Sequence, residues 1–390
     1  MYKLKMILLM LSALLLTACG SGNSGDTFSD AEKQFVHNLF LTEYLWYDQV
    51  PSTVNYNTYL TRQGMINDLR VSPPDKWSFT FTKQDYDNFT NQTTSGFGFQ
   101  YTSDFTIVLV RINAPAYQKL FRGDKIIAIN GESVTQENLT SAIQNTNQIS
   151  TFTVLRHGVQ MNQNVTSSAY SFNVSLGKVI NHNGTKIGYL RYDSFTESSV
   201  AEFENIFSTF KAANVSELII DMRYNGGGSV ATASALLDNI TNAYPDQRQI
   251  YLDWNNNNQY NNSAYTFESA DLQDGNELSM TRVFFLVTKD SASASELTIS
   301  ALVPYLGANN VITIGTNTHG KPVGFTGRSY NDNYYFLVNF FVRNDDGVTT
   351  SFSGIPATCT SVDDTTHLLG DENETMLSTA LSYIDNGVCP

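Results

Sequence analysis

The sequence predicts an α/β (α+β) protein in three parts: a small helical N-terminal region, a β-rich middle domain and an α/β domain at the C-terminal end. Three observations carry this reading. Apolar residues recur at helical spacing near the start, short apolar runs bounded by turn residues follow, and beyond residue 176 buried strands alternate with helices. Alternation of that kind implies crossover units and an α/β domain. At ~150 residues per domain, a chain of 390 residues makes two or three domains. Hydrophobic residues are 41% and charged residues 15%, enough apolar material for packed cores and against a mostly disordered chain. Lys+Arg number 23 against 37 Asp+Glu, a net charge of -14. That balance argues against a protein whose main work is gripping nucleic acid, which needs clustered Lys and Arg.

Lys3 and Lys5 precede an apolar run from Met6 to Leu16. The run is too short for a membrane-spanning helix, which needs ~20 residues, and has the shape of a secretory signal. It ends in Leu16-Thr17-Ala18-Cys19. This resembles the bacterial lipobox, in which the cysteine is lipidated and becomes the first residue. The plainer alternative is an ordinary signal cut nearby with Cys19 incidental. Residues 1–18 are thus expected to be a lipoprotein signal peptide, whose removal takes two lysines and leaves a charge of -16. Residues 19–30, rich in Gly and Ser, read as a flexible tether. The protein is expected in the cell envelope, lipid-anchored at the periplasmic face of the outer membrane or at the cell surface.

From 31 to 85 the sequence reads as the helical region. Phe35, Val36, Leu39, Phe40, Tyr44 and Leu45 keep helical spacing, with Asp30 as N-cap, and the stretch is rich in Trp and Tyr. Residues 86–175 form the middle domain. Phe105 to Ile112 reads as a buried strand and Gly123 to Gly131 as a strand between turn residues; Leu139 and Ile143 mark a short helix, and Thr151 to Leu155 is β-rich. Residues 176–390 form the last domain. Strands are expected at Lys186–Arg191, Leu218–Asp221, Val283–Val287 and Val311–Ile314, and helices at Val200–Phe210, Ala231–Ile240 and Ser295–Leu302. Asn255–Tyr265, rich in Asn and Tyr, reads as a surface loop without an assigned role. Too few cysteines are present for a disulfide-rich scaffold. Outside the cytoplasm, Cys359 and Cys389 have the option of pairing, against the plainer reading of two buried thiols.

Three short motifs carry chemistry. The first, Asp221-Met-Arg-Tyr-Asn225-Gly226-Gly227-Gly228, lies between a buried strand and a helix. Its glycines leave amide N–H groups unobstructed, suited to an anion or an oxyanion, or simply to a tight turn. It is not a phosphate loop, because no Gly-Lys-Ser/Thr follows. The second is Ser291-Ala292-Ser293-Ala294-Ser295-Glu296, again between strand and helix. It either projects a reactive hydroxyl or merely caps the helix through Ser293 or Ser295 with a capping acid. In the third, Lys321 sits among glycines in Gly315 to Gly324. A buried, neutral amine there would be a base; most lysines are solvated.

The order of these motifs, with Lys321 28 residues after Ser293, resembles the carboxy-terminal processing, or tail-specific, serine–lysine peptidases in a PDZ-containing lipoprotein form. Ser95-Gly96-Phe97-Gly98-Phe99 looks like the carboxylate-binding loop of a PDZ domain, making residues 86–175 PDZ-like. Asp75-Lys-Trp-Ser78, Gly188 to Arg191 and Asp193-Ser-Phe195 resemble further family segments, so the likeness spans nearly all of the chain after the signal. The resemblance implies Ser293 as nucleophile and Lys321 as general base. It implies an oxyanion hole from the Ala294 amide and a glycine amide, Gly227 or Gly226. It further implies a loop of Gly96, Phe97, Gly98 and Phe99 that binds the substrate's C-terminal end by strand addition. No metal or other cofactor is implied. The partners are polypeptides with free tails and, through Cys19, the membrane. Two departures stand out: many relatives carry a glutamine four residues after the lysine, where this chain has Phe325, and the Ser-to-Lys spacing is a few residues longer, with Tyr305–Asn310 as the place for the extra length.

Rival constellations are weaker. Histidines 37, 157, 182, 319 and 367 form no His-Glu-x-x-His, and no Gly-x-Ser-x-Gly supports a triad through His319. Ser208-Thr-Phe-Lys211 matches Ser-x-x-Lys but reads as a solvated helix face. The expected function is an exported serine endopeptidase that cleaves unfolded or extended polypeptides near their C-terminal tails. A catalytically weak or inactive peptide-binding protein on the same scaffold is the alternative that Phe325 keeps open.

Overall fold

The computed structural model of the protein describes residues 27–390; the signal, the lipobox and Cys19 lie outside the described residues. In the N-terminal region, α1 (Asp30–Thr42) and α2 (Arg62–Leu69) are the main helices. The cap of α1 is Ser29 rather than Asp30: Ser29 Oγ accepts the Glu32 N–H at 3.2 Å. Asp30 is instead a first-turn acid, bonded to Lys33 at 3.1 Å, which suits the positive helix end. Val36, Leu39, Phe40 and Tyr44 face inward and pack on Val323, Tyr335, Leu337 and Val338, nearly 300 residues downstream. The region also supplies a strand, β1 (Phe79–Thr82), where helix alone was expected.

The middle region runs through α3 (Lys83–Thr90), β2 (Thr93–Gly96), β3 (Phe99–Tyr101), β4 (Ile107–Val110), β5 (Lys125–Ile129), β6 (Glu132–Ser133), α4 (Gln136–Gln144), β7 (Ile149–Arg156), β8 (Val159–Thr166) and β9 (Ser168–Ser171). Its main sheet has the order β6-β5-β7-β8, with separate ladders β2–β9 and β3–β4. Phe97, Ile107, Leu139, Phe152 and Val154 fill its core. The strand expected from Phe105 is shorter, because Phe105 has φ +64° and belongs to the preceding turn.

The last region holds β10 (Ser175–His182), β11 (Thr185–Tyr192), α5 (Ser199–Ala213), β12 (Glu217–Asp221), α6 (Val230–Ile240), β13 (Arg248–Trp254), β14 (Ser263–Thr266), β15 (Val283–Val287), α7 (Ala294–Leu306), β16 (Val311–Gly315), β17 (Val323–Tyr330), β18 (Asn333–Arg343), β19 (Cys359–Thr360) and α8 (Thr375–Asn386). One sheet has the order β10-β11-β12-β15-β16-β19, parallel from β11 onward. Both of its faces are covered, so its strands read as unbroken apolar runs. Leu218, Ile220, Phe285 and Val287 face the core shared with α5, α6 and α7; Ile219, Phe284 and Leu286 face α8. A second sheet runs β1-β18-β13-β14, with β17 also on β18. The Asn-rich stretch is a docking segment rather than a loose loop: Asn255 and Asn258 donate to Tyr44 O at 2.8 Å and Thr42 O at 2.6 Å, satisfying carbonyls at the end of α1. Tyr305–Asn310 closes α7 and continues into a short 3₁₀ turn, at the end of the helix opposite Ser293.

Cys359 and Cys389 form a disulfide, S–S 2.05 Å, which ties the tail beyond α8 to the sheet-edge strand β19. Closing a 30-residue loop stabilises by ~3–4 kcal/mol in the chain-entropy model. Cys389→Ser is therefore expected to lower the urea midpoint and make it insensitive to reductant. A wild-type midpoint already indifferent to reductant would remove this contribution.

Candidate active site

β12, β15 and β16 are neighbours and parallel, so their carboxyl ends share one edge. In open α/β sheets that edge is where ligands bind. The glycine turn follows β12, the Ser293 turn follows β15, and the Lys321 loop follows β16. Topology thus brings together three motifs that are far apart in sequence.

The Ser293 turn is stitched to the glycine turn. Ser291 Oγ donates to Met222 O at 2.8 Å, Ser295 Oγ to Asn225 O at 2.9 Å, and the Ala292 N–H to Asn225 O at 3.1 Å. Ser291 and Ser295 are fully buried, with their hydroxyl protons given to backbone carbonyls; Ser293 is the partly exposed serine of the three. It caps α7 with φ +58° and ψ −114°, a strained conformation for a residue with a side chain and one concentrated at functional sites.

Glu296, fully buried in the first turn of α7, holds this turn against the Lys321 loop. Its Oε2 accepts the Ser293 N–H and the Lys321 N–H, both at 2.9 Å. Its Oε1 accepts from Thr318 Oγ1 at 2.6 Å and the Gly320 N–H at 2.7 Å. Ser293 and Lys321 therefore share a single acceptor oxygen through their backbones. Sequence reasoning gave Glu296 only the role of a capping acid; its ties to 318–321 have no local sequence signal.

Burial pushes the Lys321 amine down to about 8, against the raising influence of Asp75 and Glu296. The ammonium lies 4.1 Å from the centre of the Phe325 ring. Asp75 is fully buried, accepting from Tyr44 Oη at 2.9 Å and Ser78 Oγ at 2.6 Å, so the N-terminal region reaches the site. Trp77 Nε1 donates to His319 Nε2 at 3.3 Å, while His319 Nδ1 faces Lys289 O at 3.3 Å. Burial holds the imidazole below its ordinary value, and both ring nitrogens have partners, so His319 is a wall of the site rather than a free base. Lys211 lies elsewhere, its amine on Glu277 O at 2.7 Å.

Gly227 fits a different role from the one expected. Its N–H donates to Asn225 Oδ1 at 2.8 Å and is not free for an oxyanion. Its φ is +102°, and a Cβ there would stand 2.8 Å from Ser293 Cβ and 2.9 Å from the Ala294 nitrogen. Gly227 thus keeps open the approach to the Ala294 amide at the start of α7. Gly226 is exposed, with open space around its Cα.

In the middle region, Gly96 and Gly98 have φ +122° and +82°, and Phe97 is buried against Phe152. A Cβ at 98 would meet Ala114 at 2.1 Å, so only glycine fits. Phe99 opens β3. This region meets the glycine turn through Arg122, which bonds Tyr224 Oη and Asp363, and donates to Val108 O at 2.6 Å. Among the described residues no group of three or more His, Cys, Asp or Glu is arranged to hold a metal, and no helix is long and apolar enough to cross a membrane.

Comparison with known proteins adds the family. No curated protein matches the chain. Among solved structures, an S41 protease from Bacteroides fragilis, 22% identical, matches 94% of this chain and 99% of its own with a TM-score of 0.78, which shows the shared fold. The photosystem II D1 C-terminal processing protease is 17% identical, with 90% of this chain and 91% of its own covered and a TM-score of 0.49. The family models "Peptidase S41 N-terminal domain" and "Peptidase family S41" match residues 31–79 and 186–358, the second range containing the glycine turn, Ser293 and Lys321. Over residues 31–79 and 186–358 the chain thus matches peptidase family S41, whose members are serine peptidases.

Proposed function

We propose that this protein is an exported, lipid-anchored serine endopeptidase in which Ser293 and Lys321 work as a dyad on extended polypeptides near their C-terminal tails. The observation that carries the reading is the shared Glu296 oxygen, which ties the backbones of a strained serine and a half-buried lysine together. The neutral Lys321 amine takes the Ser293 hydroxyl proton as Oγ attacks the peptide carbonyl. The Ala294 amide, at the positive end of α7, and the exposed Gly226 turn receive the oxyanion. Lys321 returns the proton to the leaving amine, and water then resolves the acyl-enzyme. The middle region acts as a PDZ-like module, its Gly96–Phe99 loop taking the substrate's tail. Its contact with Tyr224 places it beside the glycine turn.

The alternative of a binder without chemistry draws on Phe325 alone. A serine-directed phosphonate separates the two, since an activated Ser293 is labelled and a structural one is not. The sign of the pH dependence follows from the base. The amine must be neutral, and its value lies at about 8. Cleavage of an unstructured reporter, as kcat/KM, is expected to fall about tenfold per pH unit below that value and to level off above it. A profile flat from pH 6 to 9, with no phosphonate labelling, would remove Lys321 from the role of base.

A further inference from the structure

We propose that Phe325 is the positioning residue for Lys321, its ring serving as the floor on which the amine rests; this deepens the dyad reading and rests on it. The Lys321 Nζ lies 4.1 Å from the ring centre, and among the described residues none hydrogen-bonds to it. The Lys321 side chain is half-buried, and an amine without a hydrogen-bonded protein partner takes its place from what its side chain packs on. The ring itself is fixed: Phe79 of β1 meets it at 5.3 Å and 80°, and Phe336 of β18 at 5.5 Å and 65°. Phe79 and Phe336 stack on each other at 4.9 Å.

The backbone is shaped for this. β17 pairs with β18 in regular register except between Gly324 and Phe325, where the pairing passes from Gly324↔Phe340 to Phe325↔Val338 and leaves Asn339 as the extra residue. Bulges re-aim side chains, often beside active sites. Gly324 makes the close approach possible, since a Cβ there would meet the Phe340 ring at 2.2 Å. The face of an aromatic ring attracts an ammonium through its quadrupole, so the ring holds the protonated amine in the geometry from which it has just taken, or is about to give, a proton. The charged and titratable groups around the amine are Asp75 from the segment before β1, Glu296 from α7 and His319 from its own loop. The variants below alter none of them.

The test is the pH profile of reporter cleavage in the full chain for Phe325→Leu, Phe325→Tyr and Asn339→Leu. Losing the ring removes a stabilisation of the charged amine, so the acid limb of Phe325→Leu is expected to move down by about half to one pH unit. Its kcat is expected to fall about tenfold with KM little changed, while Phe325→Tyr keeps the wild-type limb. A residue that only packs would lower the yield of active enzyme and leave the limb in place. An unmoved limb in Phe325→Leu overturns the proposal. So does a shift confined to Asn339→Leu, whose buried Oδ1 has no hydrogen-bond partner and which is the unpaired residue of the bulge opposite Phe325. Lys321→Ala runs alongside: if it keeps the wild-type limb, the dyad reading itself fails, a result distinct from the failure of Phe325.

Discussion

Ser293→Ala and Lys321→Ala are each expected to lower cleavage of an unstructured reporter by at least about a thousandfold, with the fold intact. The size follows from the roles. Without Oγ no acyl-enzyme forms, and without the amine the serine proton has no acceptor at neutral pH. Groups that act as a unit are strongly non-additive, so the double variant is expected to be no worse than either single one. Lys321→Arg is expected to be as poor as Lys321→Ala, because a guanidinium does not give up its proton in a protein. Neither side chain holds the structure together: Lys321 is tied through its backbone to Glu296, and so is Ser293. Thermal midpoints close to wild type should accompany the loss. A Lys321→Ala enzyme that cuts at the wild-type rate would end the dyad reading, and Ser293→Ala with full activity would move the nucleophile elsewhere.

How far the sequence carried the fold depended on the range of the interactions. The parallel strands were legible because both faces of the sheet are covered, which makes Leu218–Asp221 and Val283–Val287 apolar throughout. The motifs could be ordered along the chain because each follows one of those strands. What stayed hidden was non-local. Nothing in Phe79–Thr82 announces a partner at Asn333–Phe336, so β1 was absorbed into a helical region. Asn255 and Asn258 looked like loop residues because their purpose, the carbonyls at the end of α1, lies more than 200 positions away. At the site, the sequence marks Gly227 as a glycine that matters without saying why. Only the fold shows that its amide is taken by Asn225 and that the missing side chain is what counts. Asp75 and Trp77 reach the site from a segment whose pattern carries no chemical signature.

The largest structural effect is expected at Glu296. Glu296→Ala should lower stability by about 4–5 kcal/mol and cut cleavage at least about a hundredfold. The carboxylate is fully buried and accepts four hydrogen bonds, from Ser293, Thr318, Gly320 and Lys321. Bonds to a charged group contribute about 1.5–3 kcal/mol each, and buried donors left without an acceptor cost about 1–3 kcal/mol each. Some of that is offset by relief from burying a charge and by water entering the gap, so the net falls well short of the sum. Position is the more sensitive quantity. The Ser293 turn keeps its strained backbone only while its surroundings hold it there, and a shift of about 1 Å between nucleophile and base already removes about a hundredfold in rate. Glu296→Gln separates the two effects. Its shape is retained, but its NH₂ end must face two donors, so stability should lie between wild type and alanine while activity stays low. Urea midpoints and kcat, measured on the same preparations, decide it. If Glu296→Ala has the wild-type midpoint and the wild-type rate, the shared carboxylate is not what brings Ser293 and Lys321 together, and the dyad must draw its geometry from the aromatic floor under Lys321 instead.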